Sequence, residues 1–207
     1  CGQLPNLVRA EVLGLSDEQL DWTSRRWEWS RWSIRRQVSH MASLIYMWLL
    51  GRWGPRLFPE GLGIAAPDYQ VLISIEHGPW LDERLFRRMP DIERALRAAA
   101  YLAIQILRRE TAGSLRKRTL TLELEPEWEL LHQAHPSGIR PATEPGKWEV
   151  TLEATFRHLH FECIAHVYNI QRLKRAQGLI AVCELPEDGY ITLPGWDRSE
   201  PEPPPTP

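Results

Sequence analysis

Glu162 and His166, two residues able to bind a metal or carry a proton, interrupt an otherwise apolar stripe near the C-terminal end of the chain. At about 100° per residue, Leu152, Thr155, Leu159, Glu162, Cys163, His166, Ile170 and Leu173 share one helical face. Most of that face is apolar, as a core-facing stripe should be. The two polar residues lie four apart, so their side chains sit one above the other. Burying a carboxylate or an imidazole without a partner is costly, so the pair needs a reason. An i, i+4 pair of this kind can ligate one metal, as in zinc-binding helices. A divalent ion needs at least a third protein group, and a site that does chemistry also keeps a position for water. His40 is the best third group, because it flanks the apolar stripe of an earlier helix, at the edge of a core or a cleft. Two histidines and one glutamate form a ligand set for catalytic zinc that also suits iron or nickel. The competing reading is a buried Glu–His hydrogen bond that serves packing, with His40 satisfied elsewhere.

The remaining polar residues are weighed against that trio. His158 precedes Glu162 by four and fits a residue that orients a ligand, or a fourth ligand if the helix is rotated toward it. His160 points about 160° away from His158, so the two do not enter one site, and His160 reads as a surface residue. His77, His132 and His135 fall in loops or at element ends. Cys163 reads as a small buried hydrophobe. Asn169 either hydrogen-bonds across the bundle or caps a local polar patch, and Tyr168 and Tyr46 either face the cleft or pack.

The elements that must position these residues follow from caps and periodicity. Leu4 to Leu13 reads as a short helix, and Ser16-Asp17-Glu18-Gln19 caps another through about Trp22. Ser33 caps a helix to about Leu50, with Ile34, Val38, Met41, Leu44, Ile45, Trp48 and Leu49 at helical spacing. Residues 51 to 67 read as a loop. Val71, Ile73 and Ile75 alternate as in a strand, over a length that also fits a helix. A short helix is expected over Leu81–Arg88 and a longer one from Asp91 to about Glu110. Thr119 to Glu125 alternates as a strand. Residues 126 to 147 hold four prolines and read as a long surface excursion, with a helical turn near Trp128–Leu131. Thr151 caps the last long helix, which ends near Gly178. Residues 179 to 193 have some strand character, and a proline-rich run with disorder-promoting composition follows. The expected fold is all-α, a four-helix bundle with long loop excursions and short strands. The bundle domain spans residues 4–180, followed by a C-terminal extension over 181–207.

Composition excludes several function classes. The 207 residues suffice for one domain with a sizeable core. A formal charge of -2 offers no electrostatic case for nucleic acid or an anionic membrane. Three cysteines make no disulfide framework, which points to a reducing, cytoplasmic setting. The strongest apolar run, Met41 to Leu50, is too short to span a bilayer. Ten tryptophans are many, and Trp22, Trp27, Trp29 and Trp32 crowd one short region, where they suit a groove, an interface or ordinary packing.

Two stretches also carry a family resemblance. Leu15-Ser16-Asp17-Glu18-Gln19-Leu20-Asp21-Trp22, followed by Arg31 to Ala42 with His40 near its end, resembles the first half of the DinB/YfiT-like four-helix bundle superfamily. Val150 to Leu159, continuing through Glu162, His166, Asn169 and Arg172 to Gly178-Leu179, resembles that superfamily's C-terminal metal-binding helix. Such proteins place one histidine on the second helix and two, four apart, on the last. The resemblance therefore implies His40, Glu162 and His166 as metal ligands, with Glu162 in place of the middle histidine. Asn169 stands where a glutamine is usual. The implied cofactor is a divalent metal, zinc or nickel first and iron or manganese next. Characterised relatives include S-transferases that use low-molecular-weight bacterial thiols and a thiol-dependent maleylpyruvate isomerase. The implied function is a metal-dependent S-transferase or related hydrolase acting on a small thiol and an electrophile, with His158 as the catalytic group that moves a proton. A homodimer through a bundle face fits both that reading and its alternative. The alternative is a non-catalytic bundle that binds a small ligand or a protein partner, with a structural metal or none.

Overall fold

Side-chain caps start the helices on which the trio lies. Ser33 Oγ accepts the amide of Arg36 at 3.3 Å, and Thr151 Oγ1 accepts that of Ala154 at 3.1 Å. The computed structural model describes residues 2–61, 78–123 and 128–201. The alternating run at Val71, Ile73 and Ile75, His77 and the final proline-rich residues lie outside them.

In chain order the helices are α1 (Leu4–Val12), α2 (Asp17–Asp21), α3 (Ile34–Tyr46), α4 (Gly54–Leu57), α5 (Met89–Arg109), α6 (Ala112–Lys117), α7 (Trp128–Ala134) and α8 (Leu152–Ala176). Short 3-10 turns occupy Glu28–Ser30 and Tyr190–Thr192. Helix α3 packs on α5 and on α8, and α1 packs on α5 and α8. The core between them is built from Val8, Ile34, Val38, Met41, Ile92, Leu96, Ala99, Leu159, Val167 and Ile170, all buried. The alanines at 95, 99 and 103 of α5 are buried, which lets neighbouring helices approach closely. No helix among the described residues is long and apolar enough to cross a membrane.

Helix α3 does not continue regularly to Leu50. Its last turns widen into a π-helix over Met47–Arg52, where the amide of Trp53 reaches back to the carbonyl of Trp48 at 2.9 Å. This carries Trp53 into the core, where its indole N–H donates to Thr155 Oγ1 at 3.0 Å. That bond ties the end of α3 to the start of α8.

The chain is predominantly helical, and the short strands expected beside the helices extend to a three-stranded antiparallel sheet, β1 (Thr119–Glu123), β2 (Ile139–Pro141) and β3 (Lys147–Thr151), in the order β1-β3-β2. Leu120 and Ile139 both lie opposite Val150, and all three are buried. The excursion expected over 126–147 is thus partly regular. Pro141 is tolerated because β2 is an edge strand. Gly138 lets this region close on α8, since a Cβ there would meet Ala154 Cβ and Thr151 Oγ1 at 2.6 Å.

Two further expectations are revised. Leu81–Arg88 forms a single turn rather than a helix, closed by the amides of Leu85 and Phe86 on the carbonyl of Asp82. It is held to α3 by the Leu81 amide, which donates to Ser39 Oγ at 3.0 Å. Residues 179–193 form no strand; the segment up to residue 201 lies against α8 through Cys183, Tyr190, Asp197 and Glu200. That cover buries α8 on more sides than one stripe requires, including His158, Gln171, Arg172 and Lys174.

Candidate metal centre

His40 from α3 and Glu162 and His166 from α8 meet at one place. One ligand atom from each lies within 4.8 Å of the others. The packing of α3 on α8 sets this distance, and the i, i+4 spacing sets the pair on α8. The His40 and His166 ring centroids are 4.6 Å apart at 62°. Trp32, from the loop before α3, lies parallel to His166 at 6.1 Å and edge-on to His40 at 5.0 Å.

The hydrogen bonds on the outer side of each ring fix its tautomer. His166 Nδ1 lies 2.5 Å from Gln37 Oε1, and His40 Nδ1 lies 2.6 Å from the carbonyl oxygen of Pro79. Both partners are acceptors, so both Nδ1 atoms carry a proton, and in the neutral ring Nε2 is the nitrogen that presents a lone pair. His166 Nε2 is buried with no hydrogen-bond partner among the described residues. It stands 3.5 Å from Glu162 Oε2. When His166 is neutral this sets a lone pair against a carboxylate oxygen, an arrangement that a cation between them relieves.

Electrostatics prepare the same groups. Burial pushes His40 down to about 4, with His166 adding to the effect and the Pro79 carbonyl and Glu162 opposing it. The ring is thus neutral at neutral pH, the form that binds metal. Burial alone would raise the Glu162 carboxyl. Contact with His166 and the charges of His158, His166 and His40 outweigh it and hold Glu162 down to about 2.

The residues fit a divalent ion. A tetrahedral ion with bonds of about 2.1 Å sets its ligands roughly 3.4 Å apart. The Glu162–His166 edge already has that length, and a small inward movement of His40 completes the triangle. Three protein groups leave room for a further ligand, and a cavity of about 490 Å³ reaches His166 from the side of Trp32 and Asn169.

Among the described residues, no other residue singled out in the sequence adds a ligand atom to this cluster. His158 is buried and pairs through Nδ1 with the Tyr190 hydroxyl at 2.8 Å. Burial pushes it down to about 4, opposed by the nearby charge of Glu162. His160 is partly exposed and pairs with Asp188 at 3.3 Å. His132 pairs with the carbonyl of Ile139, while His135 is buried 3.4 Å from the Tyr190 hydroxyl. Burial pushes the Cys163 thiol up to about 12, so it is no nucleophile at neutral pH. Tyr168 donates to Glu200 and Tyr46 to the carbonyl of Ala95.

Sequence reasoning missed Gln37, Pro79 and Tyr190, and named Trp32 only among tryptophans suited to a groove, an interface or ordinary packing. Gln37 precedes His40 by three and so lies on nearly the same face of α3, a spacing that could have marked it. The contributions of Pro79, Trp32 and Tyr190 depend on loops that carry no periodic signal.

Comparison with protein-family models, with curated proteins and with solved structures finds no match for this chain. The functional reading therefore rests on the site itself.

Proposed function

We propose that this chain is a divalent-metal-dependent enzyme with a four-helix bundle of the DinB/YfiT-like kind formed by α1, α3, α5 and α8, acting in a reducing, cytoplasmic setting. The ligands are His40, Glu162 and His166, and the ion is zinc or nickel first, iron or manganese next. The observation that carries this reading is the pair of fixed imidazole tautomers. Gln37 and Pro79 occupy both Nδ1 atoms, which leaves Nε2 of each ring as the nitrogen available to ligate beside the Glu162 carboxylate. Oriented ligands held by outer partners are characteristic of functional metal sites.

The proposed reaction is transfer of a small thiol to an electrophile, or a related hydrolysis. When bound, the ion supplies Lewis acidity toward a thiol or water at its remaining position. The protein's own groups do the rest. Gln37 and the Pro79 carbonyl hold the rings, and Trp32 shields them on one side. His158, steadied by Tyr190 and one turn before Glu162, is the group we assign to proton movement near the site. The cluster's three protein groups and the cavity beside it favour an open centre over a closed structural one.

The test is turnover of a low-molecular-weight thiol with an activated aryl halide by metal-loaded and chelator-stripped protein. Turnover that requires metal and falls at least about 100-fold in His40→Ala supports the reading, since loss of a ligand removes the ion. Stoichiometric metal without turnover of thiols or hydrolysable esters favours the non-catalytic bundle instead.

A further inference from the structure

Beside the trio lies a second group of residues that the metal does not explain. The cavity of about 490 Å³ is lined by His166, Trp32, Trp29, Asn169, Arg172 and Trp196, among others. Apart from His166 Nε2, which belongs to the metal centre, two of these contribute buried polar atoms with no partner among the described residues: Arg172 Nε and Trp196 Nε1. Native proteins leave few such atoms unpaired, and two on residues of one cavity point to a missing ligand.

Arg172 is the informative member. Its side chain is 1% exposed, and its guanidinium lies between the rings of Trp29 at 4.6 Å and Tyr168 at 4.7 Å. The terminal nitrogens donate to the carbonyls of Asp197 and Ser199 and to Asn169 Oδ1. Those partners are neutral. Among the described residues, the carboxylate nearest to pairing with it is Asp197, at 4.0 Å and about half exposed. Asp197 also accepts the Ser199 amide at 2.8 Å. The other acid on the cavity wall, Glu28, is engaged by Arg31 at 2.8 Å. A buried guanidinium without a close counter-ion is costly, so an anion entering the cavity would be favoured.

We infer that this cavity binds a small organic carboxylate with an apolar body, its two oxygens taken by Arg172 Nε–H and Trp196 Nε1–H. One guanidinium matches one negative charge, which favours a carboxylate over a doubly charged phosphate. Two N–H donors match two carboxylate oxygens. Trp29, Trp32 and Trp196 supply the apolar wall. The Trp29 indole N–H is already spent on Ser199 Oγ at 3.1 Å, whereas that of Trp196 is free to serve a ligand. Because His166 belongs to both sites, the bound acid would lie next to the metal centre. Its role as substrate rests on the metal-enzyme reading, but its binding does not.

The experiment uses the full chain stripped of metal, with benzoate as probe and benzamide as its uncharged isostere, followed by calorimetry and tryptophan fluorescence. One benzoate per chain is expected, at least about tenfold tighter than benzamide, the scale of a charge-assisted contact. Trp196→Phe keeps an aromatic ring and removes the N–H. It should bring the two affinities within about threefold while the far-ultraviolet circular dichroism is unchanged. Equal affinities in the wild type, or a benzoate preference unchanged in folded Trp196→Phe, would overturn the inference. If the variant does not fold, the wild-type ratio alone decides. Metal content is measured on the same preparation before stripping. Loss of benzoate preference with metal stoichiometry intact rejects the carboxylate site and spares the metal centre, and the reverse result does the opposite.

Discussion

Glu11, packed against α8, and Glu162, carried by α8, are two buried or half-buried carboxylates that face different partners. Glu11, from α1, is 1% exposed and surrounded by donors. Lys174 Nζ reaches it at 2.6 Å, Gln171 Nε2 at 2.8 Å, and the amides of Cys183 and Val182 at 2.8 and 3.0 Å. Glu162, two to three turns earlier on α8, faces the Nε2 atom of His166 instead. The first carboxylate completes a network that pins the segment after α8 to α1. The second lies among imidazoles whose nitrogens bind a cation when the rings are neutral. Burial alone does not distinguish a structural carboxylate from a ligand; the balance of donors and acceptors around it does.

The contrast is broken most directly by removing each carboxylate. Glu11→Ala leaves Lys174 buried without its partner, and the expected loss is about 3–5 kcal/mol in urea-induced unfolding. A loss under about 1 kcal/mol would mean that the network contributes little. The same group sets a pH dependence. Burial tends to raise the Glu11 carboxyl, but its bonds to Lys174, Gln171 and Cys183 outweigh this and lower it below 4.5. A depressed carboxylate contributes stability that is present above its unfolded value and is lost as pH falls through its folded value. Unfolding midpoints should therefore drop below about pH 4.5 in the wild type, with that component absent in Glu11→Gln.

The second carboxylate gives smaller effects. Adding zinc at about 100 times its dissociation constant should stabilise the wild type by roughly 2.7 kcal/mol and leave His40→Ala unchanged. Equal stabilisation of both proteins would place the ion elsewhere. Without metal, Glu162→Gln should be neutral or stabilising by up to about 1 kcal/mol, because an amide can donate to His166 Nε2. A large loss in that variant would show that Glu162 is structural, as Glu11 is. As a baseline, the exposed i, i+4 pair Glu153–Arg157 at 2.9 Å should cost only about 0.3–0.5 kcal/mol on Glu153→Ala.

The contrast also explains what the sequence disclosed. Ser33 and Thr151 mark helix starts by local chemistry, and the stripes of α3 and α8 have the helical period, so the elements bearing His40, Glu162 and His166 were legible. Their convergence was legible as well, since one spacing rule joins Glu162 to His166 and α3 offered one histidine at the edge of its stripe. Strands β2 and β3 were hidden because β2 is three residues long, contains Pro141 and has only Ile139 buried. The turn at Leu81 was hidden because its form depends on Ser39, a residue on another element. Glu11 was not singled out in the sequence, although it shares the buried face of α1 with Leu4 and Val8. Its burial follows from the chain after Gly178 returning over α1 and α8, and the sequence gives no local sign of that return. Arg172 was hidden for the same reason, because Asp197 and Ser199 reach it only through that return.

The most direct test of the metal centre is elemental analysis of the natively purified chain, repeated on His40→Ala and Glu162→Ala. The account predicts about one divalent ion per wild-type chain and loss of that ion in both variants while the helical fold is kept, as expected for a three-ligand site. A wild-type chain that carries no metal and takes up neither added zinc nor nickel would contradict it, leaving Glu162 and His166 as a buried polar pair that serves packing alone.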